Sequence, residues 1–331
     1  MLTSKRRSVL AVDLGGTKII TAVILSTGEI ICRKYSLTLA DEGPRPVINR
    51  LSSAVAETMA QAQLKTSDIA GIGIAAAGIL DIDRGIVTTS PNLPHWHNVP
   101  LRDILADRLG IVTYLINDAN AAALGEHRFG AGIGFDNIIY LTVSTGIGGG
   151  IIIDGELYSG ADGCAGELGH MTIEANGPQC HCGNFGCLEA MASGWAVAKE
   201  AMMRINRGER SSIIELVDGR LERVTAEAVA MAARRGDQLA CDIVAKAANY
   251  LGIGLANLVN IFNPELIIIG GGLSKMGDML LKPARKVLKE RAFRLPARTV
   301  HIVRARLGSN AGIVGAAAYV FDQKSEGSTK A

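Results

Sequence analysis

Apolar residues come in short runs along this chain, and glycine marks where the runs stop. A run over residues 9–14 meets Gly15, Gly16 and Thr17 and resumes over 19–25, which predicts a β-hairpin with a glycine-rich tip. The pattern returns where 138–143 and 151–153 flank Ser144, Thr145, Gly146 and further glycines, so two similar halves are expected. Between the hairpins, 69–76 and 112–117 read as strands and 100–109 as an amphipathic helix. A helix is expected to start after Asp118. Further on, 193–205, 225–235 and 239–262 carry helical patterns, "ELIIIGGG" reads as a buried strand, and 312–321 forms a last helix. Strands alternating with helices predict an α/β architecture of two or three layers.

A chain of 331 residues is too long for one ordinary core, so two domains are expected. The boundary is placed near Asp118. Residues 1–118, joined by the last helix at about 308–331, would form a small α/β domain, and 119–307 a large one. The 39 glycines punctuate apolar strands rather than forming a low-complexity tract.

Charge is nearly balanced, 34 Lys+Arg against 32 Asp+Glu, which gives no electrostatic argument for nucleic acid or an anionic membrane. The opening "MLTSKRRSVLAVDLGG" has a basic patch before apolar residues, as a secretion signal does, but Asp13 interrupts the run and a strand is expected. No segment offers the roughly 18 uninterrupted apolar residues of a membrane span. A soluble, cytoplasmic protein acting on small molecules is the expectation. In that compartment clustered cysteines favour metal or catalysis over disulfides.

Glycine-tipped hairpins suit phosphate, because backbone N–H groups can reach its oxygens with no side chain in the way. Any tight hairpin wants glycine, however, so one alone says little. Two in matching positions point to the two sides of a nucleotide's phosphate chain, with Asp13 holding magnesium or its water shell. There is no Gly-Lys dipeptide, hence no Walker A loop, and no G-x-G-x-x-G after a strand. In "NDANAAALGE", Asn117 and Asp118 end a strand just before a helix, where open α/β sheets bind ligands. Asp118 there is either a base or a helix cap.

Half of the six cysteines lie between Cys180 and Cys187. The spacing C-x-C-x4-C, with His170 upstream, supplies four ligands suited to tetrahedral zinc, and Gly183 and Gly186 let the backbone wrap it. His181 is a rival fourth ligand, awkwardly placed between Cys180 and Cys182. Buried unliganded thiols are the alternative. A closed four-ligand site would be structural, fixing the loop that carries Glu167 and Glu189.

Together, "DLGGTK", "PNLPHW", "NDANAAALGE", "STGIGGG", "ELGH" and "CHCGNFGCLE" resemble the ROK family, and within it the bacterial glucokinase-like enzymes, over about residues 9–321. The resemblance implies the actin-like, sugar kinase ATPase fold, two α/β domains around an interdomain cleft that closes over sugar and ATP. It implies an ATP- and magnesium-dependent glucokinase with Asp118 as the base. Gly78, Asn92, Asn117, Glu167, His170 and Glu189 would surround the sugar, whose hydroxyls both donate and accept. His170 would bind zinc through one ring nitrogen and face the sugar with the other. Gly15, Gly16, Thr17, Lys18, Thr145 and Gly146 resemble the phosphate loops. Gly271 and Gly272 resemble the adenosine pocket, although a plain strand-ending turn explains them as well.

"AAAGILD" departs from the Gly-Pro-Gly-like turn of many relatives and keeps only Gly78. An N-acetylhexosamine kinase and a non-catalytic sugar sensor are the alternatives. The hairpin that begins by Val9 leaves no room for the DNA-reading extension of the family's repressors. A homodimer or homotetramer is the family expectation.

Overall fold

The computed structural model describes residues 8–329, so the basic stretch 5–7 and the outermost ends of the expected small domain lie outside it. The chain divides into two compact units, one comprising Met1–Gly134, Gly150–Gly166 and Arg306–Ala331, the other Phe135–Gly149 and Glu167–Ala305.

In the first unit β1 (Ser8–Leu14), β2 (Lys18–Leu25) and β3 (Ile30–Leu37) form an antiparallel meander. After α1 (Pro44–Gln61), β4 (Ile69–Ala76) lies parallel to β1. A small sheet of β5 (Ile79–Asp81), β6 (Ile86–Thr89) and β7 (His97–Val99) follows, then α2 (Leu101–Leu109). β8 (Thr113–Asn117) lies parallel to β4 and runs straight into α3 (Asp118–Phe129). The sheet order is β3-β2-β1-β4-β8. Because β1, β4 and β8 are parallel, their C-terminal ends share one edge. Asp13 stands opposite Ala75, and Ala76 opposite Asn117.

A second five-stranded sheet repeats the plan. β9 (Ile138–Val143) and β10 (Ile147–Ile153) are neighbours joined by three residues, and the short β11 (Glu156–Leu157) extends the sheet. β10 begins four residues earlier than the apolar run suggests, taking in Gly148–Gly150. Gly150 is needed inside this strand because a Cβ there would stand 2.5 Å from that of Ala123.

Helices α4 (Leu188–Ala192), α5 (Gly194–Asn206), α6 (Ala226–Arg234) and α7 (Gln238–Phe262) follow. Ser193, Thr225 and Asp237 cap α5, α6 and α7 by accepting the N–H groups of Ala196, Ala228 and Ala240. α7 is long and apolar enough to cross a membrane, but 61% of its most apolar window is buried inside the protein, as in a core helix. β12 (Leu266–Gly270), α8 (Asp278–Arg291), α9 (Pro296–Thr299) and β13 (His301–Arg304) complete the order β11-β10-β9-β12-β13.

The last helix, α10 (Ala311–Thr329), is longer than its apolar pattern suggests and belongs to the first unit. β1 explains why. Successive side chains of a strand face opposite ways, so Leu10, Val12 and Leu14 enter one core with Val47, Leu51 and Leu105. Val9 and Ala11 enter another, with Ile313, Val314 and Val320 of α10. The sheet is thus buried on both faces, which accounts for its unbroken apolar runs. Burial of Ile313 and Val320 contributes about 1.5–3 kcal/mol each.

Candidate active site and metal centre

The tip of the first hairpin is closed by the Gly15 N–H donating to the Lys18 carbonyl (3.1 Å) and fastened by the Thr38 hydroxyl on the Gly15 carbonyl (2.6 Å). The Thr38 N–H holds the Thr17 carbonyl at 3.0 Å. Gly16 lies against the backbone of Asn92, so close that a Cβ would collide with the Asn92 carbonyl. The structure therefore brings a candidate sugar contact, Asn92, to a candidate phosphate loop.

Asp13 and Asp118 stand near each other at the shared edge of the parallel strands. Burial pushes the Asp13 carboxyl up from 3.8 to about 6; the Asp118 charge adds to this and the Lys18 charge opposes it. Gly312, in the first turn of α10, leaves the Asp13 carboxylate room, since a Cβ there would stand 3.3 Å from Oδ2.

The cap of α3 corrects one alternative. Asn117, not Asp118, is the N-cap: its Oδ1 accepts the N–H groups of Ala119 (2.9 Å) and Asn120 (3.2 Å). Its Nδ2 donates to the carbonyl of Gly78 at 3.4 Å, which ties the β4–β5 connection to the helix start. Asp118 is the first helical residue, and its Oδ1 also meets the Ala119 N–H at 2.9 Å. Carboxylates are favoured as anions at this end of a helix.

In the second unit, the tip Ser144–Thr145–Gly146 turns with the Ser144 N–H on the Gly146 carbonyl (2.8 Å). The carbonyls of Ser144 and Thr145 accept the first N–H groups of α5, from Gly194 (2.7 Å) and Trp195 (3.1 Å). Gly271 and Gly272 follow β12, and Gly271 packs on the backbone of Val143.

His170, Cys180, Cys182 and Cys187 converge, with one ligand atom from each lying within 4.8 Å of all the others. Cys182 and Cys187 Sγ are 3.7 Å apart, as are Cys180 Sγ and His170 Nδ1. Zinc–sulfur bonds of about 2.3 Å set tetrahedral S···S edges near about 3.8 Å and S···N edges near about 3.6 Å. The donor set and its spacing therefore fit tetrahedral zinc. Burial pushes the Cys180 thiol up to about 12 and raises Cys187 as well, so a divalent cation binding here must displace thiol protons. Gly186 makes the loop possible: it is left-handed (φ 66°), and a Cβ would collide with the Glu174 carbonyl.

His181 is directed elsewhere, stacking on Trp195 at 4.3 Å between ring centroids. With Nδ1 toward Cys180, His170 turns Nε2 toward Glu167 Oε2 at 3.8 Å. Glu189 sits in α4, where its Oε2 accepts the N–H of Ile147 (2.8 Å) and its Oε1 lies 3.6 Å from Cys180 Sγ. Ile147 carries no chemical signal in the sequence, since it takes part through its backbone alone.

The ROK family model matches residues 9–323. The glucokinase of Thermotoga maritima is 39% identical over 315 residues, spanning 95% of this chain and 98% of the relative. A xylose repressor of Caldicellulosiruptor bescii is 36% identical over 95% of this chain, which spans 78% of the repressor. The crystal structure of a ROK family glucokinase from Streptomyces griseus in complex with glucose and AMPPNP aligns with a TM-score of 0.81 at 37% identity, covering 94% of this chain and 98% of that one.

Proposed function

The chain belongs to the ROK family and has the actin-like ATPase fold of its sugar kinases, and from that premise we propose that it transfers the γ-phosphoryl group of ATP to O6 of glucose. It is an ATP-dependent hexokinase. The assignment of the base rests on the start of α3. Asn117 caps that helix, so the Asp118 carboxylate is not needed as the cap and is the group proposed to take the O6 proton. As the proton leaves, the O6–phosphorus bond forms, the bond from phosphorus to the bridging β,γ oxygen breaks, and ADP departs.

Asn92, Asn117, Glu167, His170 and Glu189 are proposed to hydrogen-bond the sugar hydroxyls, with Gly78 shaping the loop beside them. The hairpin backbones at Gly15–Lys18 and Thr145–Gly146 would hold the phosphates, and Gly271 and Gly272 the adenosine. Magnesium, when bound, neutralises charge on the β- and γ-phosphates, and Asp13 would hold it or its water. Zinc, when bound by His170, Cys180, Cys182 and Cys187, supplies a structural crosslink that fixes His170 and Glu189 for the sugar. The same reading makes the protein a cytoplasmic dimer or tetramer, a state that light scattering measures.

The test is a coupled ADP assay on the purified protein with ATP, magnesium and a panel of sugars. Glucose is expected to give the highest kcat/KM. An N-acetylhexosamine ahead of glucose would move the substrate to that class. No ADP with any sugar would leave a sugar sensor.

A further inference from the structure

The backbone of Ile147, which opens β10, is held at both its N–H and its carbonyl by the arms of the cysteine–histidine cluster. Its N–H donates to Glu189 Oε2 at 2.8 Å. Its carbonyl lies against Gly169, where a Cβ would collide with the oxygen. Gly169 precedes the ligand His170, and Glu189 follows the ligand Cys187, which is itself the N-cap residue of α4. The two arms are joined by the Leu188 N–H on the Met171 carbonyl (2.8 Å). The other oxygen of Glu189 lies 3.6 Å from the ligand Cys180.

Only one residue separates this clamp from Thr145. The N–H groups of Thr145 and Gly146 take no hydrogen-bond partner among the described residues, and both belong to the proposed phosphate hairpin. Donors that meet phosphate work best when their directions are fixed in advance.

We propose that Glu189 is a positioning residue for the nucleotide, locking the Thr145–Gly146 tip through the Ile147 N–H, so that nucleotide affinity depends on Glu189 and on the metal loop even with no sugar bound. The inference rests on the kinase reading above and adds a second role to a residue placed there at the sugar. A Glu189 that only read sugar hydroxyls would leave sugar-free nucleotide binding untouched.

The experiment is calorimetric titration of ADP with magnesium into the sugar-free, zinc-loaded protein, for wild type, Glu189→Ala and Glu189→Gln. Glu189→Ala is expected to weaken ADP at least fivefold. Glu189→Gln, whose amide oxygen still accepts the Ile147 N–H, should stay within twofold of wild type. Chelator-stripped wild type should lose a comparable factor, and stripping Glu189→Ala should add little, because both act through one contact.

ADP affinity of Glu189→Ala within twofold of wild type, alongside weakened glucose binding, would overturn the proposal; so would fully additive losses. Should Glu189→Ala not fold, stripped wild type decides alone, and unchanged ADP affinity there overturns the link. Zinc-loaded wild type that bound no ADP would instead remove the kinase reading itself, and this inference with it.

Discussion

Asp13 and Asp118 share one sheet edge but are held there for different ends. Asp118 is proposed as the proton acceptor, and Asp118→Asn keeps the size and the Asn117 cap while removing the basicity. We expect kcat to fall about 10²- to 10⁴-fold with glucose affinity preserved, read by coupled assay and calorimetry; a kcat within threefold of wild type would exclude this base. For Asp13, burial raises the folded-state carboxyl from 3.8 to about 6. The native protein therefore holds this proton more tightly than the unfolded chain. Between about pH 4 and 6 unfolding releases a proton, so the Asp13 contribution to stability is lost as pH rises through that window. Asp13→Asn should accordingly raise the melting temperature of the ligand-free protein at pH 7.5. The gain should vanish toward pH 4, and a gain that persisted there would refute the assignment.

At the level of elements, the decisive contacts join pieces far apart in sequence. Glu126, fully buried in α3, accepts the N–H groups of Ala131 (2.8 Å), Arg306 (3.1 Å) and Leu307 (2.7 Å). It thereby fastens the segment that leads into α10. Glu126→Ala strands three donors, each costing about 1–3 kcal/mol when buried, so a loss of about 3 kcal/mol or more is expected as a lowered urea midpoint. For the cysteine loop, elemental analysis should find one zinc per chain. Cys182→Ser should release it, lowering both thermal stability and glucose affinity. Much of this was legible in the sequence: both hairpins, β4, β8, α5 and α7 follow from periodicity, and the ligand spacing of Cys180–Cys187 marked the loop. The edge strand β3 was not, because its alternation of half-buried and exposed positions carries Arg33, Lys34 and Tyr35 like a polar loop. Nor were α1, which opens on Pro44 and Pro46, and α8, which contains Pro283. At the site, the grip of Glu189 on Ile147 spans 42 residues and involves a backbone group, so no residue pattern could announce it.

On the scale of the whole molecule, two five-stranded sheets share one plan, each with a glycine-tipped hairpin on its first pair of strands. The kinase reading predicts that glucose outperforms N-acetylglucosamine and N-acetylmannosamine by at least tenfold in kcat/KM, about 1.4 kcal/mol in transition-state binding. The reverse order in the sugar panel would reassign the substrate. α10 has a further consequence, for the order in which the protein is made. The face of β1 formed by Val9 and Ala11 waits for Ile313 and Val320, which are synthesised long after it. A ribosome adding about 5–20 residues each second needs roughly ten to thirty-five seconds between finishing the N-terminal part of that unit, at Gly134, and reaching Ala311. Throughout that interval an apolar sheet face stands open on the nascent chain. Ribosomes stalled after Ala305 should carry chains that recruit chaperones and yield to protease, whereas chains extended far enough to free α10 from the exit tunnel should resist it.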